Sequence, residues 1–264
     1  MDRRIQNLRR KMTEEELDCV LSTSYVGAYY LSGVPIHWFG RPLAVIIPLE
    51  GKASIVESII EIDHTRAQTW IDDIRTYYDY NPAFSYEDPQ PPLVSMIELT
   101  HQVLKERGLL SGRIGVEKTE IPVAHYEALQ EVLPDAEFVD VSPMLARLRM
   151  VLSDEELLLV RAADRMADIG QRALIDAIQE GKAAFEIEVP VEQVLIKAIL
   201  EHYPDYPFHV HVMSGLGDGR KGAGHSEWST WNRDDVVQKG QVLETIIDVR
   251  LWGYWGNVER AVAV

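Results

Sequence analysis

The sequence predicts a two-domain α/β protein: an α/β module over 1–150, then a helix-then-strand module over 151–264 that carries the chemistry. Three observations predict it. Helical and strand-like patterns alternate from residue 5 to residue 139. A capping sequence at Ser153 opens two long helical patterns. Strand patterns follow, separated by glycine-rich and polar stretches. Alternation of the first kind builds a mixed sheet with helices on its faces.

Taken in order, 5–17 reads as an amphipathic helix. Residues 19–21 are a short apolar strand closed by Ser22-Thr23-Ser24. Residues 43–47 and 54–56 read as strands flanking a Glu50-Gly51 turn. Further strand candidates lie at 74–78, 114–116 and 137–139. Residues 81–92 hold four prolines and read as a loop. The Ser153-Asp-Glu-Glu156 segment is a capping box: the Ser153 hydroxyl takes the Glu156 amide while the Glu156 carboxylate reaches back. A helix is expected from there to about 179, stopped near Gly181. A second is expected over 185–202, ending before Pro204. Residues 208–213 alternate as a strand, 214–239 are glycine-rich and polar, and 242–249 and 257–264 are strands joined through Trp252-Gly253-Tyr254. The domain boundary falls near 147–152.

Composition narrows the class. The chain has 264 residues, 46% hydrophobic and 26% charged, which is globular. Its 42 acidic against 26 basic residues give a net charge of -16, which disfavours nucleic acid and anionic membranes as partners. Cys19 is the single cysteine, so an intrachain disulfide and a cysteine-rich metal site are excluded. Met1 leads directly into charged residues, and the longest apolar runs are strand-sized. These features lead to the expectation of a cytoplasmic protein.

Four segments could hold chemistry. The loop from Gly215 to His225 has the glycines to turn tightly and could hold His225 over a cleft. It lacks the Gly-Lys-Ser/Thr of a phosphate loop. On the strand Glu244-Thr-Ile-Ile-Asp248, residues two apart share a face, so Glu244, Ile246 and Asp248 point one way. Asn257 and Glu259 share a face on the next strand. If the strands pair, three acids and an amide line one surface; the same pattern also describes an ordinary solvated sheet face. Lastly, Trp38-Phe39-Gly40-Arg41-Pro42 sets an arginine beside aromatics, a combination able to grip a carboxylate.

These segments together resemble the creatinase branch of the superfamily that also holds prolidase, aminopeptidase P and methionine aminopeptidase. Thr23-Ser24-Tyr25, Tyr29-Tyr30 and Phe39-Gly40-Arg41-Pro42 are similar to its N-terminal domain. Arg149-Met150, Ser153, Glu155-Glu156, Arg161 and Ala167-Asp168-Ile169-Gly170 are similar to its domain junction and first long helix. Ser214-Gly215, Ala223, His225, Gly240, Gly253-Tyr254 and Glu259-Arg260 are similar to its first active-site stretch. The resemblance implies a homodimer whose second domain is a pita-bread catalytic domain, a pseudo-symmetric α/β half-barrel of antiparallel strands. Because the chain stops at Val264, on the second active-site strand, that domain is expected to be incomplete.

The peptidases of this superfamily hold two metal ions, and the positions of two of their aspartate ligands fall on Ile246 and Asn257. Isoleucine cannot bind a metal, and a neutral amide is a poor substitute for a bridging carboxylate. Glu244 and Asp248 each lie roughly 7 Å along the strand from Ile246. Creatinase also lacks these ligands. The resemblance therefore implies a hydrolase that cleaves a C–N bond of a small amidino or amide compound with no cofactor; divalent metal enters only under the alternative, an Xaa-Pro peptidase with an altered ligand set. A third possibility is a non-catalytic dimerisation or binding module. By resemblance, His225 is the general acid/base and Glu259 holds the guanidinium end of the substrate, as one half of a Glu259-Arg260 pair. Asn257 joins Arg260 among the expected substrate-binding residues. Phe39 and Arg41 extend into the site of the partner subunit, with Arg41 meeting the substrate carboxylate.

Overall fold

The computed structural model describes residues 2–34, 40–78, 94–217 and 236–264. They form two compact units, Met1–Val151 and Leu152–Val264.

The first unit runs α1 (Asp2–Glu14), β1 (Cys19–Ser22), α2 (Tyr25–Ser32), β2 (Ala44–Pro48), β3 (Ser54–Ser58), a single 3-10 turn, α3 (Ile62–Gln68), β4 (Asp73–Tyr77), α4 (Met96–Glu106), β5 (Arg113–Val116), α5 (Val123–Val132), β6 (Glu137–Asp140) and α6 (Ser142–Met150). Its six strands lie in the order β4-β3-β2-β1-β5-β6. The β1–β2 and β2–β3 pairs are antiparallel and the other three are parallel. Because side chains alternate along a strand, Val20, Val45, Ile47 and Ile55 enter a core with α1, α2 and α6. Cys19, Leu21, Ile46, Val56 and Ile114 enter a second core with α4 and α5. Burial on both faces is why the central strands read as unbroken apolar runs. One buried acid is fully engaged at the strand ends: Ser22 and Ser24 both donate to Glu117, and the Arg149 guanidinium stands 3.8 Å from it.

The second unit runs α7 (Asp154–Ala177), α8 (Ala184–His202), β7 (Phe208–Gly217), β8 (Val242–Leu251) and β9 (Tyr254–Ala263). The capping box forms as expected, with the Glu156 amide donating to Ser153 Oγ at 3.3 Å and the Ser153 amide donating to Glu156 Oε2 at 2.7 Å. Glu156 Oε1 also accepts from the Tyr254 hydroxyl at 2.7 Å, tying the start of α7 to the start of β9. The three strands form one antiparallel sheet in chain order. The β8–β9 hairpin closes through Trp252 and Gly253, with φ of 46° and 82°. Two positive φ values mark the mirror-image turn whose twist suits a two-residue hairpin.

Candidate functional site

Alternation gives the three-stranded sheet two chemically distinct faces. Val212, Leu243, Ile247, Val249 and Leu251 pack with Ala163, Met166 and Leu195 of the two helices. Thr245 is also buried on this side, accepting from Gln171 Nε2 at 2.9 Å and donating to the Arg260 carbonyl at 3.0 Å. The other face is polar. The register of both strand pairs is continuous over ten residues, so that face is built of rows running straight across the sheet. The rows are His209–Arg250–Trp255, His211–Asp248–Asn257, Met213–Ile246–Glu259 and Gly215–Glu244–Ala261.

The second row is internally bonded. Asn257 Nδ2 donates to Asp248 Oδ1 at 2.7 Å. The other carboxylate oxygen of Asp248 lies 3.8 Å from His211 Nδ1. In the next row Ile246 is buried, only 5% exposed, while Glu259 is exposed beside it. The first row is held by rings: the Arg250 guanidinium sits 5.4 Å from the centroid of the Trp255 ring, and the His209 ring meets the same indole edge-on at 6.3 Å. Since Arg250 separates His209 from Trp255 in the register, the indole reaches across β8.

The outer edge of β7 is covered by α8. Glu188 and Glu192 are four apart on the helix, about 6 Å in rise. Val212 and Ser214 are two apart on the strand, about 6.6 Å. The two spacings match, so Glu188 Oε1 accepts from the Ser214 amide at 2.6 Å and from its hydroxyl at 2.9 Å, and Glu192 accepts from the Val212 amide. Edge amides are thus met by carboxylates, which blocks further strand pairing there.

Electrostatics follow from this packing. Burial raises the Glu192 carboxyl above its ordinary range, with Glu188 adding to the effect and His211 opposing it. Burial lowers His209 below the usual imidazole value; Arg250 and His211 push the same way, and Asp248 opposes them. The shift favours the neutral imidazole of His209 beside the charged Arg250.

Of the residues expected from sequence, Glu244, Asp248, Asn257 and Glu259 share the polar face. Arg260 does not: it alternates to the side of Val258 and Val262, and its Nη1 donates to the Glu259 carbonyl at 2.6 Å. Asn257 engages Asp248 through its amide. Arg41 lies in the first unit, half-buried, where its carbonyl accepts from the Tyr25 hydroxyl at 3.3 Å. Phe39 and His225, and the expected loop over 81–92, lie outside the described residues. At 246 and 257, where the resemblance leads one to expect the two aspartate ligands, the side chains present do not suit a metal ion: Ile246 is buried and apolar, and the Asn257 amide already donates to a carboxylate. Among the described residues no three histidine, cysteine, aspartate or glutamate side chains converge as ligands. Sequence reasoning missed His209, His211 and Glu192.

Residues 4–151 match the Creatinase/Prolidase N-terminal domain family. The chain belongs to this creatinase/prolidase family. Creatinase from Bacillus sp. (strain B-0618) is 28% identical over 263 residues, covering 98% of this chain and 59% of that protein. The putative dipeptidase YkvY of Bacillus subtilis (strain 168) is 24% identical over 260 residues, covering 98% of this chain and 65% of that protein. The chain therefore spans about three-fifths of the length of these relatives. Among solved structures, the X-Pro aminopeptidase from Thermotoga maritima MSB8 superposes with a TM-score of 0.76 at 17% identity, covering 98% of this chain and 65% of that one. The Xaa-Pro dipeptidase from Bacillus anthracis gives 0.72 at 20% identity, covering 99% and 64%. These likenesses carry the fold, including the pita-bread arrangement of helices and antiparallel strands expected for the second unit. Among the described residues no helix is long and apolar enough to cross a membrane.

Proposed function

We propose that the protein is a creatinase-type hydrolase that cleaves a C–N bond of a small amidino or amide compound without a tightly bound metal ion. The observation that supports this reading is the row register: Ile246 stands beside Glu259, and Asn257 is spent on Asp248. That leaves Glu259 as an exposed carboxylate facing the space where a cation would be held. A planar guanidinium suits a carboxylate partner. In this reading Glu259 holds the cationic end, and His225 moves the proton needed for water attack and amine departure. Phe39 and Arg41 act from the second subunit of a homodimer, with Arg41 on the substrate carboxylate. The protein works in the cytoplasm on a small molecule, with neither nucleic acid nor a membrane as partner, in keeping with its acidic balance.

The test is elemental analysis of the purified protein together with turnover on a panel of amidino and amide compounds. The reading expects no stoichiometric zinc, manganese, iron or cobalt. It expects His225→Ala to lose about 10²–10⁴-fold in kcat, and Arg41→Ala mainly to raise KM for carboxylate-bearing substrates. Mixing Arg41→Ala and His225→Ala subunits restores activity if Arg41 acts across the dimer. One or two tightly bound ions per chain with Xaa-Pro cleavage would replace this reading with a peptidase. Binding without turnover of any panel member would replace it with a non-catalytic module.

A further inference from the structure

The first unit holds an open cleft of about 370 Å³ where one face of α1 meets the residues that lead into β3 and β4. The two strands begin side by side, Ser54 beside Asp73, so 51–53 and 70–72 come together with Ile5, Gln6 and Arg9 of the helix. Ile5, Ala53 and Ile71 are buried and give the cleft an apolar floor. Trp70 forms a wall. It is 38% exposed, and its Nε1–H donates to the Leu31 carbonyl at 2.9 Å, which fixes the indole. Arg9 is pinned as well: Nε donates to the Pro48 carbonyl at 3.2 Å and Nη2 to the Gly51 carbonyl at 2.6 Å. A guanidinium has five N–H donors, so these bonds leave others uncommitted. The second bond sets Arg9 beside the Gly51–Lys52 peptide, and Lys52 is exposed. Among the described residues no carboxylate stands within ion-pair distance of Arg9 or Lys52, in a chain of 42 acidic residues. Of the two acids on the rim, Asp73 already accepts from Ser54, Arg75 and Arg107. Asp72 is exposed.

We propose that this cleft is a binding site for a small aromatic carboxylate, with the ring against Trp70 and the carboxylate on Arg9 and Lys52. Ligand sites are mostly apolar, carry a few placed polar groups and run to about 300–1,000 Å³. This one lies at the small end, which suits one ring or two fused rings. A flat ring suits an indole wall, because aromatic pairs gain from offset or edge contact beyond the area they bury. A planar carboxylate suits a guanidinium whose fork is already oriented, and lysine adds a mobile charge beside it. Two backbone carbonyls hold Arg9 in place before any ligand arrives, so binding spends little on ordering that side chain. The sign of the ligand follows from the rim: two cations without a carboxylate partner stand against one uncommitted acid, Asp72. The cleft lies wholly within the first unit, and the inference does not depend on the proposed hydrolase activity.

The experiment is calorimetric titration of the full chain with 2-naphthoate and, separately, with 2-naphthamide, which has the same shape and no charge. Wild-type protein is expected to bind naphthoate about tenfold more tightly at low salt, and the preference shrinks as salt is raised. Lys52→Gln is expected to weaken naphthoate about twofold to fivefold and leave naphthamide unchanged. Asp72→Asn removes the one repelling charge and is expected to tighten naphthoate by a similar factor, an effect that a purely structural role would not produce. Trp70→Leu is expected to weaken both probes about twofold to tenfold. Trp70→Phe keeps a ring and is expected to stay within about threefold of wild type, which guards against a folding defect in the leucine variant. Equal binding of the two probes by wild type overturns the carboxylate assignment, as does naphthoate affinity unmoved by both Lys52→Gln and Asp72→Asn. Binding unmoved by Trp70→Leu puts the ring elsewhere on the protein and overturns the site. So does the absence of naphthoate binding at millimolar concentration.

Discussion

At Gly256 the sheet lies directly against the backbone of the helix behind it, and Gly256→Ala tests how the polar face is held. A Cβ at this position points between the carbonyl carbon of Ala163 and the amide nitrogen of Asp164, in direct overlap with both, and stands 2.8 Å from the Ala163 carbonyl oxygen. All three atoms are backbone in α7, a helix of 24 residues, so no side chain can swing aside. Either β9 lifts or α7 shifts. Overpacking of this kind costs about 1–3 kcal/mol. Loss of glycine freedom in the unfolded chain offsets about 0.5–1 kcal/mol of that. The net is about 1–2 kcal/mol of destabilisation. At a urea dependence of about 2 kcal/mol per molar, the unfolding midpoint falls by about 0.5–1 M. The neighbours of Gly256 in β9 are Trp255 and Asn257, so lifting the strand also stretches the 2.7 Å bond to Asp248 and tilts the indole from Arg250. Urea unfolding followed by circular dichroism reads the first effect; amide exchange along β8 and β9 reads the second. An unchanged midpoint with unchanged exchange would refute the argument that β9 is seated directly on the α7 backbone.

Two predictions concern the first unit. Burial pushes the Cys19 thiol up to about 12, with Arg107 opposing weakly; a thiol reagent at pH 8 should therefore label the native chain at least about a hundredfold more slowly than the urea-unfolded chain, and fast stoichiometric labelling would show that β1 is not enclosed. Asp73 is raised by burial but carried below its ordinary value of 3.8 by bonds from Arg75, Ser54 and Arg107. A depressed carboxylate stabilises the fold above its unfolded pKa and loses that contribution as pH falls through the lower, folded value. The urea midpoint of wild type should thus exceed that of Asp73→Asn at pH 5 and converge with it below pH 3; a constant gap would assign the difference to hydrogen bonding alone.

Much of the fold was legible because it rests on local signals. Ser153 and Glu156 are a capping box in sequence and in space. The expected strands over 43–47 and 54–56 are β2 and β3, shifted by one or two residues. Several helices went unnamed although their caps stood in the sequence. Ser95 and Glu98 form a second capping box at α4. Ser24 caps α2 through the Gly27 amide at 2.9 Å, but α2 packs into a core with little amphipathic contrast, so periodicity gave no warning. Strand β7 runs to Gly217, past the expected end at Met213. Ser214 and Gly215 have weak strand propensity of their own. They are held by pairing with Thr245 and Glu244 and by the Glu188 carboxylate, none of which is local.

The candidate site was legible by parity and illegible by register. Alternation alone placed Glu244 with Asp248 and Asn257 with Glu259, and it also separates Glu259 from Arg260. It could not place His209 and His211, because nothing in 208–213 states which β8 residue lies opposite. Nor could it connect Glu192 to β7, since that contact depends on a helix rise matching a strand rise.

Register also explains how this sheet tolerates its acids. Two aspartates at 246 and 257 would add two carboxylates to a face that already carries Glu244, Asp248 and Glu259, and like charges so placed disfavour one another's ionised form. Ile246 and Asn257 add no charge. Asp248, in the row of Asn257, has an amide donor on one side and an imidazole on the other. The row is satisfied by its own side chains, and Glu259 in the neighbouring row stays exposed to solvent.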